Sequence, residues 1–164
     1  MGNVILKQDY QGEVTHYQYD SSNRLVAMNN AAYLEVSYHY DGAGRLLDRI
    51  LSNGAQTVYR YDADNRLMGL TSKSANKTVV EDLSYQRDNI GNITTITNAV
   101  NNKHTSYTYD ALYRLLTVAS TDTAENRRYT YDKVGNRRTT QAGAGAPVAA
   151  YRARYVMTAG TRRH

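Results

Sequence analysis

The sequence predicts an all-β protein in which consecutive antiparallel β-hairpin repeats of about 21–22 residues form a curved sheet. Three observations predict this fold class. A Tyr-x-Tyr-Asp pattern returns along most of the chain. Three positions after its Asp, five of six copies carry Asn or Gly, which tolerate a left-handed backbone. Tyr, Val, Thr and Leu flank the pattern, and these residues favour strands over helices.

The composition is unusually rich in tyrosine. The 164 residues include 16 Tyr and no Phe, Trp or Cys. The lack of Cys excludes a disulfide framework and thiolate metal sites. No apolar run approaches the roughly 20 residues of a membrane span, and Met1 to Lys7 lack the apolar stretch of a secretion signal. Leu, Ile and Val are scarce enough to suggest disorder. The net charge is only +5, however, so we expect a fold whose core is built on phenol rings.

The tyrosine pattern is an internal repeat, and repeats of this period indicate stacked supersecondary units. The spacings between successive copies are 21, 21, 26, 22 and 22 residues. The first tyrosines of the six clear copies are Tyr17, Tyr38, Tyr59, Tyr85, Tyr107 and Tyr129. A polar loop from Ser72 to Thr78 explains the longest spacing. The sequence therefore predicts a repeat region over residues 1–140. Residues 141–164 form a Gly/Ala loop, a degraded repeat at Tyr151 and a basic tail.

Each repeat is predicted to be one hairpin. Tyr17 and Tyr19 share a face because alternate residues of a strand point the same way. Asp20 accepts hydrogen bonds from backbone N–H groups of the turn, and Asn23 takes the left-handed position. This fits a three-residue loop, a type I turn followed by a G1 bulge. The fifth copy carries Tyr113 at the left-handed position, which predicts a strained or differently shaped turn.

The loop length fixes a register and therefore a set of cross-strand pairs. Four ion pairs are predicted across the turns: Asp20–Arg24, Asp41–Arg45, Asp62–Arg66 and Asp110–Arg114. One step along the ladder, the second tyrosine faces Leu: Tyr19–Leu25, Tyr40–Leu46, Tyr61–Leu67 and Tyr109–Leu115. The next step on that face pairs the first tyrosine with a small residue: Tyr17–Ala27, Tyr59–Gly69 and Tyr107–Thr117. In the sixth copy, Arg137 lies opposite Tyr131 and is placed for a cation–π contact. The mixed face pairs Gln18 with Val26 and His39 with Leu47.

The residues singled out by the repeat are predicted to be structural. They are Tyr17, Tyr19, Asp20, Arg24, Tyr38, Tyr40, Asp41, Arg45, Tyr59, Tyr61, Asp62, Arg66, Tyr85, Asp88, Tyr107, Tyr109, Asp110, Arg114, Tyr129, Tyr131 and Asp132. No catalytic, cofactor-binding or metal site is predicted. His39 and the other histidines lack spaced carboxylate partners, and no serine lies in a Gly-x-Ser-x-Gly motif. We therefore expect no enzymatic activity and no cofactor.

The pattern Tyr-x-Tyr-Asp-x-x-[Gly/Asn]-Arg-Leu resembles the YD repeat of the RHS family over about residues 9 to 140. That family includes bacterial Rhs polymorphic toxins, shell components of insecticidal toxin complexes, and animal teneurins. The resemblance implies a β-hairpin sheet that spirals into a hollow shell, which in bacterial members commonly encloses a toxic C-terminal polypeptide. It also implies a secreted or cell-surface location. The chain carries fewer repeats than a family shell, and it lacks the Asp-Pro motif and self-cleaving aspartates of bacterial members. Its one proline, Pro147, follows Ala146.

Three functions remain open on the sequence. The chain is interpreted as a non-catalytic stretch of a shell that encapsulates or presents a toxin in secretion or cell-contact competition. Its partners would then be further YD repeats or copies of itself, which pair through open sheet edges, and a toxin polypeptide. The alternative is a cell-surface carbohydrate-binding module that uses tyrosine rings and binds anionic or neutral glycans. An inert truncated remnant is the third. Burial of Tyr19, Tyr40 and Tyr61 against neighbouring repeats favours the shell, whereas rings that line an open groove favour glycans.

Overall fold

The computed structural model describes residues 3–30, 35–143 and 148–149. The described residues form fourteen β-strands and one single-turn 3₁₀ helix. The predicted all-β class and the series of antiparallel hairpins are therefore confirmed. The chain divides into two compact units, Met1–Ser106 and Tyr107–His164, with the boundary inside strand β10.

In the first unit each strand pairs antiparallel with the next strand in the chain. Its strands are β1 (Leu6–Gln8), β2 (Val14–Tyr19), β3 (Leu25–Asn30), β4 (Val36–Tyr40), β5 (Leu46–Leu51), β6 (Gln56–Tyr61), β7 (Leu67–Lys73), β8 (Val79–Arg87), β9 (Ile93–Asn98) and β10 (Lys103–Tyr109).

The second unit has the same arrangement, because β11 to β14 also pair antiparallel in chain order. Its elements are β11 (Leu115–Ser120), the 3₁₀ helix (Thr123–Glu125), β12 (Arg127–Tyr131), β13 (Arg137–Ala142) and β14 (Val148–Ala149). The predicted division at residue 140 stays a prediction, because the degraded repeat at Tyr151 and the basic tail lie outside the described residues.

The hairpin turns have the predicted three-residue geometry. In the first repeat the N–H of Asp20 donates to the carbonyl of Arg24 at 2.9 Å, and the N–H of Asn23 donates to the carbonyl of Asp20 at 3.0 Å. Asn23 has a φ of 59° and Asn65 a φ of 62°, and Gly occupies the same left-handed position in other copies. Asn and Gly at this position therefore set the loop length of each repeat.

Tyr113 adopts this turn without altering its shape. The N–H of Asp110 donates to the carbonyl of Arg114 at 3.0 Å, and Tyr113 itself has a φ of 60°. Of the two predicted outcomes, strain rather than a different shape is observed. A bulky residue in the left-handed region is conformationally costly.

The predicted loop from Ser72 to Thr78 is shorter than expected. Ser72 and Lys73 continue β7, and β8 begins at Val79. Only a turn lies between them, closed by a 2.9 Å hydrogen bond from the N–H of Ser74 to the carbonyl of Thr78. The extra residues of this repeat therefore lengthen two strands, because backbone pairing satisfies their polar groups better than a free loop does.

The predicted register holds for one ladder step and then fails. Tyr19 lies opposite Leu25, as expected, but Tyr17 lies opposite Met28 and Gln18 opposite Ala27. The predicted pairs Tyr17–Ala27 and Gln18–Val26 are therefore wrong.

A bulge in the strand after each turn explains the failure. Two residues on that strand oppose one on its partner, which shifts every later pair by one position. The shift recurs in β5, β7, β9 and β13. Tyr59 accordingly lies opposite Leu70 rather than Gly69, and His39 lies opposite Asp48 rather than Leu47. In the fifth repeat, the hydroxyl groups of Thr108 and Thr117 form a hydrogen bond of 2.6 Å across the hairpin.

Few side chains are deeply buried. Among the residues that the structure describes, Val36 is the one buried bulky hydrophobic side chain, and Asn30, Thr57 and Thr105 are buried polar residues. The repeat tyrosines are half-buried, and they alternate along β12 with exposed residues. The tyrosine face is thus packed by contacts between neighbouring repeats rather than by a second layer of structure.

No helix in the described part of the chain is long and apolar enough to cross a membrane.

Candidate functional site

A cluster of hydrogen-bonded and stacked side chains lies at the junction between successive repeats. It starts at the turn carboxylate, as the second repeat shows. One oxygen of Asp41 accepts the backbone N–H groups of Ala43 and Arg45, both at 2.9 Å. Its other oxygen accepts the Nε–H of Arg45 at 2.6 Å. The carboxylate therefore closes its own turn and fixes the arginine side chain at once.

All four ion pairs predicted across the turns are present. The N–O distances are 2.6–2.8 Å for Asp20–Arg24, Asp41–Arg45, Asp62–Arg66 and Asp110–Arg114. In each pair the backbone N–H of the arginine is the largest influence that lowers the pKa of the aspartate. Hydrogen bonds to the ionised form favour it, so these carboxylates hold their charge into acid solution.

Three of these four arginines, Arg24, Arg45 and Arg114, reach the next repeat and lie on the ring of its second tyrosine. We call Arg24, Arg45, Arg66 and Arg114 the arginine ladder. The guanidinium carbon lies 4.7 Å from the ring centroid for Arg24 on Tyr40, 5.0 Å for Arg45 on Tyr61 and 4.4 Å for Arg114 on Tyr131. These distances are within the range of an attractive cation–π contact.

The same tyrosines hold the neighbouring repeat through their hydroxyl groups. The O–H of Tyr40 donates to the carbonyl of Leu25 at 2.8 Å, and that of Tyr61 to the carbonyl of Leu46 at 3.0 Å. Tyr131 donates to the carbonyl of Leu115 at 2.8 Å. Burial raises the pKa of Tyr61, which keeps its hydroxyl a donor. The second tyrosine of a repeat therefore both receives an arginine and returns a hydrogen bond.

The ladder extends into the following turn. The Nη1 of Arg45 donates to the carbonyl of Asp62 at 3.3 Å and to the side-chain oxygen of Asn65 at 2.9 Å. Arg114 likewise donates to the carbonyl of Asp132 at 3.5 Å. One guanidinium thus joins two turns and one ring, which couples adjacent repeats directly.

Two repeats replace the ladder arginine with asparagine. Asn92 donates to Asp88 at 3.0 Å, and Asn136 donates to Asp132 at 3.1 Å. Burial opposes ionisation of both carboxylates, but these hydrogen bonds, together with those from backbone N–H groups of the turn, outweigh it and lower the pKa of each.

Arg137 makes a cation–π contact, but not with the tyrosine that the sequence predicted. Arg137 lies opposite Tyr131 in the ladder, as expected. Its guanidinium carbon instead lies 5.7 Å from the ring of Tyr129. The ring of Tyr131 is covered by Arg114 of the preceding repeat, so it is not available to Arg137.

The ladder is interrupted between the third and fourth repeats. Arg87 stands where the other repeats have their second tyrosine, and it donates to the carbonyl of Leu67 at 3.2 Å. It therefore replaces the tyrosine hydrogen bond but not the ring. A cavity of about 510 Å³ opens beside it, lined by Asp64, Arg66 and Tyr85 among others.

Two of the histidines, His39 and His104, have side-chain partners. His39 pairs with Asp48 at 2.6 Å across one hairpin, and His104 contacts the hydroxyl of Thr97 at 3.1 Å. Within the described ranges no three His, Cys, Asp or Glu side chains are grouped to hold a metal ion.

Sequence reasoning identified the second tyrosine, the aspartate and the arginine of each turn, and the structure brings them together at the junctions. It missed that the arginine and the tyrosine come from different repeats. The repeat pattern carries no signal for this, because contacts such as Tyr40 with Leu25 and Tyr61 with Leu46, each 15 residues apart, depend on which hairpins are neighbours in space. The first tyrosines stay on the same face but lie beyond the bulge. Their predicted structural role remains a prediction.

These features define a class: a β-hairpin repeat protein whose repeats are joined by a shared aspartate, arginine and tyrosine. The RHS Repeat family matches residues 2–33, 40–78 and 87–125, which is more than half of the chain. The chain therefore belongs to the RHS repeat family.

Solved structures agree with this assignment. The chain is 25% identical to a chain of the Photorhabdus luminescens Tc holotoxin pore, with a TM-score of 0.71 over 85% of its length. For the TcdB2-TccC3-Cdc42 structure the identity is 24% and the TM-score 0.70 over 84%. For TcdB2-TccC3 the identity is 23% and the TM-score 0.69 over 84%. The chain spans only 8–9% of those chains. Comparison with curated proteins finds no match.

Proposed function

We propose that this chain is a non-catalytic wall segment of an RHS shell that encloses or presents a toxin polypeptide in secretion or cell-contact competition. In this role the chain acts outside the cell or at its surface, and its partners are further YD repeats and the enclosed polypeptide.

The observation that carries the proposal is the way in which the repeats are joined. Val36 is the one bulky hydrophobic side chain buried among the described residues, so no second layer covers the sheet there. At three junctions an arginine of one repeat instead stacks on a tyrosine ring of the next. An extended wall needs this kind of nearest-neighbour stability, because each repeat then supports only the repeats beside it.

The solved relatives support the same interpretation. One is a structure of TcdB2-TccC3-Cdc42, and another is a Tc holotoxin pore with a TccC3 mutation. Because the chain matches under a tenth of each, one such segment would form only part of a larger wall.

The charged side chains of the junctions are consistent with a non-catalytic role. The turn aspartates are occupied by backbone N–H groups and by arginine. A general acid or base needs a proton that it can exchange at the working pH, whereas these carboxylates have a lowered pKa.

The tyrosine rings do not favour the carbohydrate-binding alternative. Tyr40 and Tyr61 are half-buried, an arginine covers each ring, and each hydroxyl proton is donated to a backbone carbonyl. A sugar-binding platform needs an open ring face. These rings are part of the repeat junctions instead.

A chimeric shell tests the proposal. Residues 9–140 would replace the matched stretch of a TcdB2–TccC3 shell, and limited proteolysis would measure protection of the enclosed polypeptide. We expect protection equal to that of the parent shell. The matched control carries Asp41→Ala and Arg45→Ala, which break one junction and should let protease enter.

Two results would contradict the wall role. One is an assembled chimera whose enclosed polypeptide is digested as fast as the free polypeptide. The other is failure of the chimera to assemble when a different RHS segment of equal length, placed at the same position, does assemble.

A further inference from the structure

The junction between the third and fourth repeats lacks a ring that the comparable junctions contain. Tyr40, Tyr61 and Tyr131 each place a phenol ring beneath the arginine of the preceding repeat. In the fourth repeat that position is Arg87, whose slimmer side chain donates to the equivalent leucine carbonyl, that of Leu67. Among the described residues, no ring lies over Arg66.

The missing ring leaves a cavity of about 510 Å³. Its lining includes Arg66, Leu67, Met68, Tyr85 and Arg87. A cavity of this size lies within the range of pockets that bind small molecules, so it has room for a phenol ring.

The guanidinium groups that line the cavity are held in place. Arg66 bonds to Asp62 through Nε and to Asp64 through Nη2, both at 2.8 Å. Arg87 donates to the carbonyls of Gly91 and Leu67 at 3.1 and 3.2 Å. These bonds use the edges of the two planar groups, and the flat faces of guanidinium groups are the surfaces that stack on aromatic rings.

Polar acceptors stand at the rim of the same cavity. Asp64 and Asp88 both contribute to its lining, and the side chain of Asp64 is 71% exposed. A phenol hydroxyl buried against an apolar wall needs an acceptor, and these carboxylates can supply one.

We propose that this cavity binds a tyrosine side chain of another polypeptide. The ring would lie on the face of Arg66, as the rings of Tyr40 and Tyr61 lie on the preceding arginines. Leu67 and Met68 would contact its edge, and Asp64 or Asp88 would accept its hydroxyl proton. The site does not depend on the shell role, since it follows from one substitution in the repeat.

Ligand-observed fluorine NMR tests the site. The probe is a short acetylated Gly-Tyr-Gly amide with a fluorine on the ring, titrated with the full chain. We expect saturable broadening of its signal. The unlabelled Tyr peptide should displace it, and the matched Gly-Leu-Gly peptide should compete at least tenfold less well.

The decisive variant is one whose new side chain fills the cavity. Arg87→Tyr would place a ring beneath Arg66, so we expect at least tenfold weaker probe binding with the fold retained by circular dichroism. Gln86→Tyr is the matched control, because Gln86 is exposed at the neighbouring position on the opposite face, and it should bind as the original chain does. Arg66→Gln, which keeps the cavity but removes the guanidinium face, should also weaken binding about tenfold.

Three results would overturn the proposal. The first is equal probe binding by the original chain and Arg87→Tyr. The second is equal competition by the Leu peptide. The third is displacement of the probe by acetate or inorganic phosphate at lower concentration than by the Tyr peptide, which would identify an anion site instead.

Discussion

At the scale of single residues, the turn aspartate does the most to define a repeat. In the third repeat Asp62 accepts the N–H groups of Asp64 and Arg66 and the Nε–H of Arg66. One side chain thus fixes the loop and aims the arginine at the next repeat. The role of this residue could be predicted from the sequence. An Asp three positions before a left-handed residue starts a three-residue hairpin loop, where its carboxylate accepts hydrogen bonds from the turn backbone.

Relief of strain at Tyr113 should stabilise the protein. Tyr113 has a φ of 60° and is 62% exposed, so a smaller residue loses little packing. Tyr113→Gly should raise the free energy of unfolding by about 1 kcal/mol, because a left-handed backbone costs a bulky residue about that much. Urea denaturation measures the change. Gly135→Ala, the reverse change at the equivalent turn with a φ of 93°, should destabilise. A lower urea midpoint for Tyr113→Gly would refute the claim of strain.

Acid should destabilise the fold through the turn carboxylates. The pKa of Asp20, Asp41, Asp62 and Asp110 is lowered from 3.8, chiefly by the backbone N–H of the following arginine. A lowered pKa in the folded state means that the unfolded chain binds protons more readily. The stabilisation is therefore present above about pH 4 and is lost as the pH falls through the lower, folded values.

The measurement is the urea midpoint as a function of pH between 7 and 2, for the original chain and for Asp41→Asn. The original chain should lose stability below about pH 4. Asp41→Asn should be less stable at pH 7 and should lose less on acidification. A midpoint independent of pH in this range would contradict the role given to the carboxylates.

At the scale of strands and hairpins, the second bulge, which lies in the strand beyond the G1 bulge of the turn, was not predictable from the repeat pattern. The sequence pattern shows which residues of a strand share a face. It does not show that one strand contains an extra residue, which shifts the pairing of all residues beyond it. This is why Tyr19–Leu25 was predicted correctly and Tyr17–Ala27 was not. The cross-repeat contact of Arg45 with Tyr61 was missed for a related reason, since it depends on which hairpins are neighbours in space.

Gly69 should be intolerant of any side chain. A Cβ at this position would collide with the carbonyl oxygen of Leu83 and would lie 2.8 Å from Nη2 of Arg60. Gly69→Ala should therefore cost about 1–3 kcal/mol of unfolding free energy, as overpacked sites do. Gly42→Ala is the matched control, because nothing lies within 4 Å of its Cβ position. Equal urea midpoints for the two variants would contradict the close approach of β7 and β8.

The arginine ladder should be measurable as an energetic coupling. A double-mutant cycle with Arg45→Gln and Tyr61→Leu should give a coupling free energy of about 0.5–1 kcal/mol, typical of a partly exposed cation–π contact. The same cycle with Arg66→Gln and Arg87→Leu should give no favourable coupling, because no ring lies between those residues. Additive effects for Arg45 and Tyr61 would show that the stacking does not join the repeats.

At the scale of the whole molecule, the low tyrosine burial and the near absence of a hydrophobic core among the described residues have one explanation. The tyrosine face is stabilised by neighbouring repeats, and the edge strands of a sheet present backbone groups that can pair with another strand. The composition alone suggested disorder, because Leu, Ile and Val are scarce. The tyrosines make up for this scarcity only when neighbouring repeats pack side by side. The repeat period predicted the hairpins, and the family match identifies them as RHS repeats.

Size-exclusion chromatography with light scattering most directly tests the central claim that the chain is a wall segment which needs further strands beside it. We predict self-association, seen as a mass above the 18.5 kDa of one chain that increases with protein concentration. A single stable species of 18.5 kDa at all concentrations would contradict the claim.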